Sequence, residues 1–75
     1  MERKDAISMA EQIRKTLPEE ERVYMDDLIK ALKSKKGPED PDDYADLLLG
    51  YAEEYEDVNE QLCCTLADYL AEEFG

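Results

Sequence analysis

Chemistry in this chain has to be built mainly from carboxylates, tyrosine hydroxyls and two adjacent thiols, because histidine is absent and the only serines are Ser8 and Ser34. The densest group of such residues is Asp42, Asp43, Asp46, Glu53, Glu54, Glu56, Asp57 and Glu60, with Tyr51 and Tyr55 among them. Paired carboxylates work as general acid and base where burial or a neighbour drives their pKa values apart. These carboxylates crowd one another in a polar stretch, which leaves them solvated rather than tuned. No glycine-rich turn is present to cradle a phosphate, and no imidazole can move a proton near neutral pH. Cys63 and Cys64 lie about 100° apart on a helix and cannot chelate a metal from one face. A calcium loop starting at Asp40 would need an acid at its fifth position, glycine at its sixth and glutamate at its twelfth. Tyr44, Ala45 and Tyr51 stand there instead. The expectation is a protein that is no enzyme and takes no metal or cofactor.

Attraction is what such carboxylates do well. The 75 residues carry a formal charge of -12. Residues 1–36 hold 8 acids and 9 bases, whereas residues 37–75 hold 13 acids and no base. Helical surfaces commonly mix signs to gain pairs at i,i+4; this half forgoes them and accepts self-repulsion. Asp46, Glu53, Asp57 and Glu60 recur at intervals of 7, 4 and 3 residues, a row opposite the stripe formed by Tyr44, Leu48, Tyr51 and Tyr55. Carboxylates three or four residues apart on a helix are separated by about 5–6 Å, a charge density comparable to that of a nucleic-acid backbone. Two readings stand: a solvated acidic surface, or a surface that meets the basic face of a nucleic-acid-binding protein. Direct nucleic-acid binding is not expected of so acidic a chain. The tyrosines either pack at the core edge or anchor a contact. Leu49, off the stripe, either fills a second groove or marks a protein contact.

The elements that must position these residues read as helices. Ala6, Ala10, Ile13 and Leu17 share one face of a first helix over about residues 3–16. Thr16-Leu17-Pro18-Glu19 has the form of a capping box opening a second, over about 17–36, with Met25, Leu28, Ile29 and Leu32 inward. Gly37 then supplies a C-cap and Pro38 forbids continuation. Asp40-Pro41 starts a third helix over about 41–56. The rhythm of Tyr44, Leu48, Tyr51 and Tyr55 runs on through Val58, Leu62, Thr65 and Tyr69, which would suit one long helix. A break near residues 56–59, with Asp57 as N-cap of a fourth helix over about 59–74, suits a bundle of matched lengths better. The fold class is therefore all-α: a small single-domain bundle of three to four helices with short loops, the last two possibly one. Leu, Ile, Val and Phe make up only 15 of 75 residues, so its stability should be a few kcal/mol at most.

No apolar run reaches the roughly 20 residues of a membrane span, and no signal-peptide pattern is present. Two reduced thiols suit the cytoplasm. Acyl carrier proteins are equally small, acidic and helical, but the Asp-Ser-Leu motif that carries their prosthetic group is missing. In size, composition and charge the chain resembles small inhibitors of defence nucleases, of the anti-CRISPR kind, carried by phages and mobile elements. That likeness implies a non-catalytic inhibitor whose acids stand in for phosphates. A structural or regulatory interaction module, with a homodimer formed through the Tyr/Leu stripe, is the alternative.

Overall fold

The computed structural model describes residues 1–75. It is all-α, with four helices and no strand: α1 (Arg3–Thr16), α2 (Glu19–Lys33), α3 (Pro41–Glu54) and α4 (Glu60–Phe74). The chain forms two helical hairpins, α1 against α2 and α3 against α4, joined where α1 packs on α4. No helix is long and apolar enough to cross a membrane.

Local chemistry accounts for most boundaries and corrects several. The backbone N–H of Glu2 donates to Asp5 Oδ2 at 3.1 Å, anchoring the first turn of α1. Thr16 does not open α2: its hydroxyl donates back to the Ile13 carbonyl at 2.9 Å, closing α1. Leu17 and Pro18 are both extended, so α2 begins at Glu19 rather than residue 17. The three acids Glu19, Glu20 and Glu21 still fall in its first turn, where the helix dipole favours them. α2 stops at Lys33, short of residue 36, with Ser34 as its C-cap. Its hydroxyl donates to the Ala31 carbonyl at 2.8 Å and accepts from the Gly37 N–H at 3.2 Å. Gly37 thus belongs to the turn beyond the cap and is the only residue with positive φ, at 72°.

α3 and α4 are separate. Pro41 opens α3 as expected, but Asp40 makes no capping hydrogen bond with its side chain. Asn59, not Asp57, caps α4, its Oδ1 accepting from the Leu62 N–H at 3.2 Å. The five-residue turn between the helices resets the phase of the apolar face. Leu48 and Tyr51 are buried on α3, as the stripe requires; of its continuation Val58 and Tyr69 are buried and Leu62 packs at the core edge, but Thr65 is not on the face α4 buries. Thr65 is exposed, and α4 turns Cys63, Leu66, Ala67 and Leu70 inward together with Tyr69. These meet Ala6, Ala10 and Ile13 of α1 and Met25, Leu28 and Leu32 of α2 in one continuous core. No polar or charged residue is buried in it.

Phe74, at the end of α4, ties the remaining pieces together. Its ring makes an edge contact with Tyr69 at 6.0 Å between centroids, and the Arg3 guanidinium lies 5.4 Å above its centroid. The same Arg3 donates to the Ser34 carbonyl at 2.6 Å. A Cβ added to Gly37 would fall 2.3 Å from the Phe74 ring, so the α2–α3 turn passes as close to it as a glycine permits.

Candidate protein-binding interface

α3 is amphipathic, and its outward side is acidic. With Leu48 and Tyr51 inward, the helical repeat sets Asp42, Asp46 and Glu53 opposite the core, with Asp43 and Glu54 on the flank towards α2. Glu56 and Asp57 lie in the turn, and Glu60 is the first residue of α4. The straight row through Asp46, Glu53, Asp57 and Glu60 is therefore not formed, because the helix ends at Glu54. In its place the hairpin carries a row on α3, an acidic turn, and acids on α4. Asp68 and Glu72, one turn apart on the outer face of α4, are exposed together with Glu73; Glu72 and Glu73 stand out in the sequence only as acids at the unfavourable end of the helix dipole, and Asp68 not at all. The signal was present in the absence of any cation from Gly37 onwards.

All the carboxylates beyond Lys36 are exposed, and none takes part in an ion pair. The two ion pairs of the molecule, Lys4–Glu2 and Arg14–Asp26, both lie in the α1–α2 hairpin at its surface. Cations face the acidic hairpin across a cavity of about 680 Å³ between the two hairpin turns. There Lys15 and Arg22 stand across from Glu54, Glu56 and Asp57 without reaching them. Asp42, Asp43, Asp46 and Glu53 on α3 and Asp68, Glu72 and Glu73 on α4 have no ion pair, so their mutual repulsion is uncompensated. Screening should ease this repulsion while removing little from two exposed pairs. Raising NaCl from low to physiological concentration is expected to increase Tm by about 4–8 °C, the equivalent of roughly 1 kcal/mol in a domain of this size. A melting curve insensitive to salt would mean that the acids repel one another negligibly.

The two tyrosines have different fates. Tyr51 is only 3% exposed, so its ring is core rather than a contact anchor. Its hydroxyl donates to Glu21 Oε2 at 3.1 Å, the single side-chain hydrogen bond between α2 and α3. Burial, and then this bond to a carboxylate, push the Tyr51 pKa far above its ordinary value. Tyr55 packs 5.9 Å from the Tyr51 ring and stays half-buried at the hairpin turn. Its pKa is also raised, by desolvation and then by Glu21, Glu54 and Glu20. Leu48 and Tyr51 are buried within the chain, so of the Tyr/Leu stripe only Tyr44 and Tyr55 stay partly exposed. Leu49, by contrast, is 44% exposed and lies beside the acidic row of α3 rather than in a second groove.

Cys63 is buried, and burial followed by the neighbouring Cys64 and Glu60 pushes its thiol up to about 11. Both cysteines are free thiols. Nowhere do three or more cysteine or carboxylate side chains converge in a way that could hold a metal ion. Compared with protein-family models, curated proteins and solved structures, the chain matches none.

Proposed function

We propose that this protein is a non-catalytic inhibitor whose α3–α4 hairpin occupies the nucleic-acid-binding surface of a basic partner protein. Its carboxylates take the place of phosphates, and the partner's lysines and arginines keep ion pairs while nucleic acid is excluded. An inhibitor of a defence nuclease, carried by a phage or mobile element and acting in the cytoplasm, fits this reading. One observation carries it: every carboxylate beyond Lys36 is exposed and without a cation within ion-pair distance. The hairpin therefore meets a partner with its charge uncommitted, and the ion pairs lost on docking are few.

The test is capture and release. The protein, immobilised and exposed to cell extract, is expected to retain nucleic-acid-binding proteins that short duplex DNA or RNA displaces. Retention should fall at least roughly ten-fold as NaCl rises from 50 to 200 mM, as for contacts made of exposed charges. A variant with Asp42, Asp43, Asp46, Glu53, Glu54, Glu56, Asp57 and Glu60 replaced by their amides should retain none of them. Retention that ignores salt, nucleic acid and the amide replacements would remove the electrostatic mechanism.

A further inference from the structure

Between α2 and α3 runs a groove whose walls are aromatic. A cavity of about 430 Å³, within the size range of small-ligand pockets, is lined by Tyr24, Tyr44, Leu47, Asp40 and Asp43. An adjoining cavity of about 380 Å³ shares Tyr44 and Asp40 and adds Asp27, with Lys30 as its one cation. The one side-chain hydrogen bond between α2 and α3, from Tyr51 to Glu21, lies near the start of α2, away from this groove. Tyr24 is 47% exposed.

We propose that this groove receives an arginine side chain of a basic protein partner. The inference rests on the charge-mimic reading for the origin of that arginine, and on the groove itself for its chemistry. A guanidinium stacks its plane against a tyrosine ring while its fork of N–H donors reaches carboxylates. Tyr24 and Tyr44 offer the rings, and Leu47 offers apolar surface for the aliphatic stem. Asp27, Asp40 and Asp43 offer acceptors that are fully available. None has a side-chain hydrogen bond or an ion pair, and Asp40 leaves its capping position unused. Their field already reaches the groove wall: after burial, Asp27 and Asp40 raise the pKa of Tyr44. Lysine fits less well, since its compact and strongly hydrated ammonium can neither stack nor fork. A neutral ligand would leave the carboxylates unanswered.

Arginine amide is the probe, titrated into the full-length, isotope-labelled protein and followed by backbone amide resonances. Saturable shifts are expected at Tyr24, Asp43, Tyr44 and Leu47, with none for citrulline amide, which keeps the α-ammonium but carries a neutral urea in place of the guanidinium, and weaker ones for lysine amide. Tyr24→Ser and Asp43→Asn alter exposed side chains and should each weaken the arginine site by about three- to five-fold. Shifts that rise linearly and spread over Asp42, Asp46, Glu53 and Asp68 would reveal general counterion screening and overturn the proposal. So would an arginine affinity unchanged in Tyr24→Ser. The two readings fail separately: saturation by arginine without salt-sensitive capture of nucleic-acid-binding proteins would uphold the groove and remove the mimic.

Discussion

Replacing Gly37 by alanine is expected to lower the unfolding free energy by about 2–3 kcal/mol, a large part of what a 75-residue domain possesses. Two costs combine. A left-handed backbone conformation costs a residue bearing Cβ about 1–2 kcal/mol, and Gly37 holds φ at 72°. The added methyl would also sit 2.3 Å from the Phe74 ring, which must withdraw from the turn and from Arg3 above it. Loss of that aromatic packing accounts for roughly another 1 kcal/mol. Thermal and urea unfolding should show Tm falling by about 10–20 °C. In a Phe74→Ala background the same substitution should cost only the conformational part, about 1–2 kcal/mol. Equal costs in the two backgrounds would show that the ring does not press on the turn.

Alkaline pH should unfold the domain. Four groups are held protonated by the fold: Cys63, raised from 9.0 to about 11, and Tyr44, Tyr51 and Tyr55, all raised from 10.0. In each case the folded state binds its proton more tightly than the unfolded chain. Stability from these groups is therefore complete below pH 9 and declines as pH rises through the window between unfolded and folded values. Cys63 alone accounts for about 2–3 kcal/mol between pH 9 and 11, at 1.36 kcal/mol per unit. The tyrosines extend the loss above pH 10. Circular dichroism should show cooperative unfolding near pH 11, with buried tyrosines ionising in the same step. Cys63→Ala should move the onset upward by about a unit, since only tyrosines then remain. An onset that stays put in that variant would exclude the thiol.

Much of this arrangement was legible in residue types. α1 spans the residues its apolar spacing marks, and Pro41 begins α3 because proline suits a first helical position. The break between α3 and α4 was legible as well, near residues 56–59, from the matched helix lengths a bundle needs. The phase beyond it was not, because Tyr55, Val58, Leu62 and Tyr69 continue the rhythm of α3 across a turn that holds no glycine or proline. Asn59 was the marker: counted from there, Cys63, Leu66, Ala67 and Leu70 form a cleaner stripe than one including Thr65, provided Cys63 is treated as a small hydrophobe. Thr16 carried a capping signature but used its hydroxyl on the preceding turn instead, a competing local hydrogen bond that pattern alone does not resolve. The acids of the candidate interface were readable individually. Their arrangement was drawn wrongly, because the row through Asp46, Glu53, Asp57 and Glu60 assumes one helix across a break that the same sequence announces. The groove between Tyr24 and Tyr44 joins residues twenty apart and is visible only once the hairpins are assembled.

The division of the molecule into a nearly neutral hairpin and a strongly anionic one gives it polarity as well as charge. Near a positive surface such a particle feels torque, and α3 and α4 swing to the front before anything touches. At about 0.15 M salt that influence decays over about 8 Å, less than the 10.9 Å radius of gyration. Alignment is thus confined to the final instant of approach, and ionic strength should govern how often collisions succeed more than how long the resulting complex survives.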